Sequence, residues 1–245
     1  MQAAKSSKGT SQNAARCGLF SKKEAASWIA EGIRHIHSSN LGERDPAARL
    51  TMELASNDTA SIPTYPWEHR SGALVRRIQT SRDRHAVIQK LLEDPMAGQL
   101  RRELQEKSSH VIEELITNSI YHGYRNPDGS NRYPRKQSVE LQEFESLQLT
   151  FNCNSNGVFI SMRDAGGTFP FSEIVASFQR CYRSGGPKVE SKEQGAGLGL
   201  YLIFEEVSHL KIVSIAKSYT EVSCWIADQR SLEPRVFSFN FFDRR

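Results

Sequence analysis

No apolar run in the chain approaches the roughly 20 residues that a membrane-spanning helix needs. The longest apolar-rich stretches, such as Gly199 to Phe204 and Val236 to Phe242, are far shorter. Cysteine is scarce. Four thiols, at positions 17, 153, 181 and 224, form no C-x-x-C pair and have no histidine at zinc-ligand spacing. That excludes a disulfide framework and a zinc finger, and points to reduced thiols in a cytoplasmic protein. Residues 1–20 lack the apolar stretch of a signal peptide and are expected to form a flexible tail. No G-x-x-x-x-G-K-[ST] occurs, which excludes a P-loop, and there is no internal repeat. Strong charge of one sign is also missing. The net charge is +4, with 17 basic and 12 acidic side chains over residues 1–109 and 15 and 16 over the remainder. So small an excess reads as a solvated surface rather than a nucleic-acid site.

What is present is a globular composition, 38% hydrophobic and 24% charged, which argues against wholesale disorder. Ser21 to Glu24 fits a capping box, and Ile29, Ile33 and Ile36 share one face, so a helix is predicted from Ser21 to near Ser38. Pro46, Pro63 and Pro66 interrupt the next stretch, and Gly72 to Leu92 reads as a second, basic helix. Residues 21–99 thus form an N-terminal, mainly helical region with no catalytic motif. Beyond Pro95 a helix is predicted up to Tyr121, ended by Gly123. Strand-like alternation covers Val139 to Phe151, Asn156-Gly157 supplies a hairpin turn, and Val158 to Met162 returns. Phe171, Ile174, Val175 and Phe178 have helical spacing, Ser184 to Gln194 reads as a loop, and Leu198 to Ser208 as a helix. Strands follow at 211–216, 221–227 and 235–242. This order favours an α+β, two-layer sandwich over residues 100–245, with helices on one face of a largely antiparallel sheet.

Three motifs carry candidate chemistry. In the first, Glu114, Asn118 and His122 recur every four residues along the apolar stripe of Val111 and Leu115. Burying a carboxylate, an amide and an imidazole in line costs several kcal/mol unless each finds a partner, so a bound ion or ligand is one reading. A core-edge stripe satisfied by backbone and water is the other. In the second, Asp164-Ala165-Gly166-Gly167 closes the returning strand. An aspartate there can accept a hydrogen bond from an exocyclic amine and the glycines admit a flat base, or the four residues are simply a turn. In the third, Gly195-x-Gly197-Leu198-Gly199-Leu200 stands at the start of a helix, where bare amides and the helix dipole suit a phosphate. Its spacing is not G-x-G-x-x-G and no apolar strand precedes it, so a dinucleotide fingerprint fails, and a flexible surface loop is the other reading.

Together, Glu-x-x-x-Asn, Asp-x-Gly-Gly forty-six positions after the asparagine, and Gly-x-Gly-x-Gly about thirty further on resemble the N, G1 and G2 boxes of the Bergerat-fold superfamily. That superfamily contains DNA gyrase, the heat-shock-90 chaperones, histidine kinases and mismatch-repair ATPases. The likeness spans roughly residues 101–227 and implies a histidine-kinase-like ATPase fold with an N-terminal helical extension. It implies ATP and magnesium as ligands. Asn118 would hold the metal, because an amide oxygen is a suitable hard ligand, and Asp164 would read the adenine amine. Gly166 and Gly167 would line the base, while Gly195, Gly197 and Gly199 cradle the phosphates beneath a lid of residues 184–194. Leu198, Leu200 and His122 complete the implied nucleotide-binding set. Thr220 resembles the threonine of the family's last box, although Tyr219 stands where glycine is usual.

Within the superfamily, Glu114-x-x-x-Asn118-x-x-x-His122-Gly123-Tyr124, with Gly-Gly-Thr-Phe after Asp164, is most similar to bacterial anti-sigma-factor serine kinases; Thr168 replaces their proline. The likeness implies transfer of the γ-phosphate to a serine or threonine of a partner protein, an antagonist or sigma-like regulator, with Glu114 as general base. Two alternatives stay open. One is a soluble histidine kinase, whose phosphoacceptor candidates are His35, His37, His69, His85 and His110, none in a His-Glu-x-x-x-Pro setting. The other is a binding module in which nucleotide acts as a conformational switch. A gyrase-like ATPase is disfavoured because no transducer-sized segment follows the last strand. Residues 21–99 are open to docking a partner, sensing a signal or extending a homodimer interface.

Overall fold

The computed structural model of the chain describes residues 15–39, 45–56, 62–68, 70–134, 137–183, 199–228 and 236–244. Its centre is one eight-stranded mixed sheet, accompanied among the described residues by seven α-helices. The strands are β1 (Ala15–Gly18), β2 (His35–Ser38), β3 (Leu74–Ile78), β4 (Leu147–Asn154), β5 (Gly157–Asp164), β6 (His209–Ile215), β7 (Tyr219–Ala227) and β8 (Phe237–Arg244). They lie in the order β1-β2-β8-β6-β7-β5-β4-β3. Only β1 with β2 and β6 with β8 run parallel; the other neighbours are antiparallel. The helices are α1 (Lys22–Ala30), α2 (Pro46–Ser56), α3 (Arg84–Leu92), α4 (Pro95–Gly98), α5 (Arg102–His122), α6 (Phe171–Arg183) and α7 (Gly199–Glu206). None is long and apolar enough to cross a membrane.

Strand alternation divides the sheet into two unlike faces. Val158, Ile160 and Met162 of β5, Leu210 and Ile212 of β6, and Phe237, Phe239 and Phe241 of β8 point into the main core. There they meet Ile29 of α1, Ile88 of α3, Val111, Leu115 and Ile116 of α5, Phe178 of α6 and Phe204 of α7. The expected helices on one face are therefore α1 and α3–α7. Against expectation, α2 lies on the opposite face, where Leu50 packs on a smaller cluster of Tyr65, Trp67, Phe159, Trp225 and Ala227. A partial third layer results.

Two predicted helices are corrected. The first keeps its capping box: Ser21 Oγ accepts from the Glu24 N–H and the Glu24 carboxylate accepts from the Ser21 N–H. It stops at Ala30, because Glu31 and Gly32 turn the chain, Gly32 with φ of 99° in the left-handed region. His35–Ser38 then pairs with β8 as strand β2, so the spacing of Ile33 and Ile36 had mimicked a continuing helix. The predicted helix from Gly72 to Leu92 is a strand, β3, joined to α3 by a short 3-10 turn at Ser81–Asp83. Only pairing with β4 makes it a strand, and that partner lies about seventy residues away in sequence. Residues 21–99 are thus less helical than expected, and β1, β2 and β3 share one sheet with the strands that follow. The strand expected from Val139 begins only at Leu147, after a 3-10 turn at Glu143–Glu145.

The second face also carries polar side chains, several of them buried. His209 stacks on Trp67, and Lys211 pairs with Glu68, the two charged side chains being 5% and 1% exposed. Arg70 pairs with both Glu68 and Glu221, and Ser161 donates to Glu221. Breaking a buried pair leaves an uncompensated charge, which typically costs about 3–5 kcal/mol, whereas apolar replacement of both partners is often neutral. Lys211→Ala is therefore expected to lower the unfolding free energy by about 3 kcal/mol in urea denaturation. The Lys211→Met/Glu68→Leu double variant is expected to recover most of it, and an unaffected single variant would show that the pair carries no such energy.

Candidate functional site

α5 is the spine of the site. Its polar residues recur every four positions, so Glu114, Asn118 and His122 share one stripe, and the helix stops at Gly123, whose N–H bonds the Ser119 carbonyl. Beyond that stop the chain touches the end of β5. A Cβ on Gly123 would stand 2.4 Å from the Ser119 carbonyl oxygen and 3.1 Å from the Asp164 carboxyl carbon. A Cβ on Gly166 would stand 1.7 Å from the Gly123 carbonyl oxygen, which also accepts from the Thr168 hydroxyl at 2.9 Å. The first two motifs therefore interlock backbone to backbone, and glycine is required on the Gly166 side of the contact.

Asp164, 4% exposed, lies at that junction. Burial pushes its carboxyl up to about 7. Hydrogen bonds pull the other way, from the amides of Gly166 at 2.9 Å, Thr220 and Gly167 and from the Ser119 hydroxyl. Thr220 faces it across the β5–β7 ladder, is 4% exposed, and has a hydroxyl with no hydrogen-bond partner. A buried hydroxyl without a partner beside a carboxyl group is a place where a ligand or an ordered water can supply the missing hydrogen bond.

Both residues open into a cavity of about 330 Å³, also lined by Asn118, His122 and Leu200. The third motif completes it. Gly199 opens α7 so close to α5 that a Cβ there would stand 2.1 Å from Glu114 Oε2 and 3.4 Å from Asn118 Nδ2. Glu114 thus lies against the first residue of α7 without lining the cavity itself. His122 approaches Asn131 at 3.4 Å. Gly166 and Gly167, expected to line the base, do other work. Gly166 seats on Gly123, and Gly167, with φ of 57°, seats on the Ile215–Ser218 turn, where a Cβ would fall 2.2 Å from the Ile215 carbonyl oxygen. Gly195, Gly197, Leu198 and the expected lid at 184–194 lie outside the described residues.

Several lining residues belong to none of the three motifs. Glu173, Ser177 and Arg180 follow one another at helical spacing on α6, a polar stripe on an amphipathic helix that the periodicity could have flagged. Arg125 reaches the cavity just past the end of α5 and pairs with Glu173. Ser119 carries no motif signature, and only the fold aims its hydroxyl at Asp164. Among the described residues no three His, Cys, Asp or Glu side chains stand together as metal ligands. No family model matches the chain, and no curated protein aligns with it significantly.

Because the folded pKa of Asp164 is raised from 3.8 to about 7, the stability its protonated form contributes is complete below about pH 3.8. It is lost as the pH rises to about 7. In urea unfolding of the ligand-free protein between pH 4 and pH 8, Asp164→Asn is expected to remove this fall and to exceed the wild type in stability at pH 8. An unchanged pH slope in the variant would contradict the assignment.

Proposed function

We propose that the chain is an ATP- and magnesium-binding protein of Bergerat type that transfers the γ-phosphate to a serine or threonine hydroxyl of a partner protein. One observation carries the reading: Asn118, Asp164 and Thr220 line a single cavity, and Gly199 abuts Glu114 and Asn118. Three motifs spread over about eighty residues thereby meet at one place.

The residues fit such a substrate. The Asp164 carboxylate accepts the exocyclic amine of adenine, and the Thr220 hydroxyl, without a protein partner, supports the base beside it. Leu115, Phe169, Leu200 and Val222 give apolar walls to a flat ring. The Asn118 amide oxygen would hold magnesium, with phosphate oxygens and water as its remaining ligands, since a hard cation takes oxygen donors. The metal would neutralise charge on the phosphates. Glu114 takes the proton from the partner's hydroxyl as that oxygen attacks the γ-phosphorus and ADP leaves. The cytoplasm is the compartment that supplies this substrate.

The histidine-kinase reading gains little support. His35 and His37 are buried in strand β2 at 2% and 3% exposure, and His110 is bonded to Glu206 within the helical layer. His85 is exposed on α3, and His69 lies outside the described residues. A nucleotide switch without transfer shares the same cavity and differs only in turnover.

Titration calorimetry with ATP and magnesium tests the first half, and Asp164→Asn is expected to abolish the heat. Partners recovered by affinity capture with and without ATP, then incubated with γ-labelled ATP, test the second. Glu114→Ala is expected to retain binding and lose transfer by roughly 10²–10⁴-fold, the usual range for a general base. Binding without any acid-stable phosphoprotein would leave the switch, and no heat with any adenine nucleotide would remove both.

A further inference from the structure

Lys22, the first residue of α1, makes a contact that the proposed site does not itself require. Its ammonium donates to three backbone carbonyl oxygens at the end of α7: Phe204 at 2.8 Å, Glu205 at 2.6 Å and Val207 at 2.6 Å. It also lies 5.6 Å from the centre of the Phe204 ring. The last carbonyls of a helix lack partners within the helix and carry the negative end of its dipole. α7 has no basic residue in its own last turn, so Lys22 supplies in trans the cation that the helix lacks. Burial draws the Lys22 pKa down to about 8, with Glu205 and Glu206 opposing and Lys107 reinforcing. The ammonium is therefore the main form at pH 7.

The opposite end of α7 is where the candidate site is tightest. The helix lies antiparallel to α5: its C-terminal Glu206 bonds His110, and its first residue, Gly199, presses on Glu114 and Asn118. Eight residues make a rod about 12 Å long. A rod that short moves as one piece, so a shift at the Lys22 end reaches Gly199. α1 also grips the cavity wall, because Gln179 of α6 donates to the Ala30 carbonyl at 2.9 Å. One N-terminal helix thus holds both α6 and α7.

We propose that Lys22 is a positioning residue: by capping α7 it keeps Gly199 against Glu114 and Asn118, and so couples the N-terminal part of the chain to the phosphate end of the site. The coupling to ligand rests on the nucleotide reading above; the capping of α7 does not.

The test uses the full chain at pH 7 with Lys22→Met, which keeps the stem and removes the charge, and Lys22→Arg, which restores it. Lys22→Gln provides a second neutral variant should Lys22→Met fail to fold. The neutral variant is expected to bind ATP with magnesium roughly five- to tenfold more weakly, in line with loss of one well-placed helix-end charge. Its affinity for adenosine, which has no phosphates, is expected to stay within about twofold, and Lys22→Arg, which keeps a cation but on a wider guanidinium, is expected to recover part of the ATP affinity. Amide hydrogen exchange without ligand is expected to quicken over 199–206 and to stay unchanged over 157–164. Exchange that is unaltered in α7, or faster throughout the sheet, would overturn the proposal, as would a loosened α7 with unaltered ATP affinity or equal losses for ATP and adenosine. Should the wild type bind neither ligand, the nucleotide reading fails and the coupling with it, while exchange over 199–206 still decides the cap.

Discussion

The structure turns on a carboxylate kept out of water. Asp164 ends β5 where α5 stops, where the Gly166-Gly167 turn begins and where Thr220 of β7 lies alongside. An isolated buried carboxylate is strongly disfavoured, so each of these elements must present a donor to it. Ser119, Gly166, Gly167 and Thr220 do so. They still do not return the carboxyl to its ordinary range, because burial outweighs them. Helix, turn and strand are thereby fixed to one another by the group that the candidate ligand would use.

The close glycine contacts follow from the same constraint. Donors can converge on one carboxylate only if their backbones approach closely, and the Gly166–Gly123 approach leaves no room for a Cβ. Gly167 serves the neighbouring turn between β6 and β7 in the same way, through a left-handed conformation. Gly166 and Gly167 are thus joints of the scaffold, and the cavity wall comes from side chains such as Leu115, Phe169 and Val222. Behind this wall the sheet's other face carries the buried Lys211–Glu68 pair, with the exposed Arg70 reaching Glu68 and Glu221. Glu221 directly follows Thr220, so the charged groups of Glu68 and Arg70 back the strand that faces the cavity.

The described segments of the N-terminal hundred residues are woven into the same body. Three of their segments are strands of the common sheet, α2 covers its second face, and α1 caps α7 through Lys22 and accepts at Ala30 from Gln179 of α6. This explains why no separate motif marks them: their contribution is contact with elements far along the chain, and such contacts leave no local pattern.

Read alone, the chain already determined the α+β class, the core helix ending at Gly123, the β4–β5 hairpin and five candidate residues, Asn118, His122, Asp164, Leu200 and Thr220, that line one cavity. These rest on local physics: four-residue spacing on a helix, two-residue alternation on strands, and turns that only certain residues make. Strand pairing decided the rest. β2 and β3 read as helix because their partners, β8 and β4, lie far away in sequence, and a short segment becomes strand only when an edge is offered to it. Ser119, Arg125 and the α6 stripe joined the site for the same reason. Their side chains have no distinctive spacing relative to Asp164, and only packing α5 and α6 onto the sheet turns them toward it.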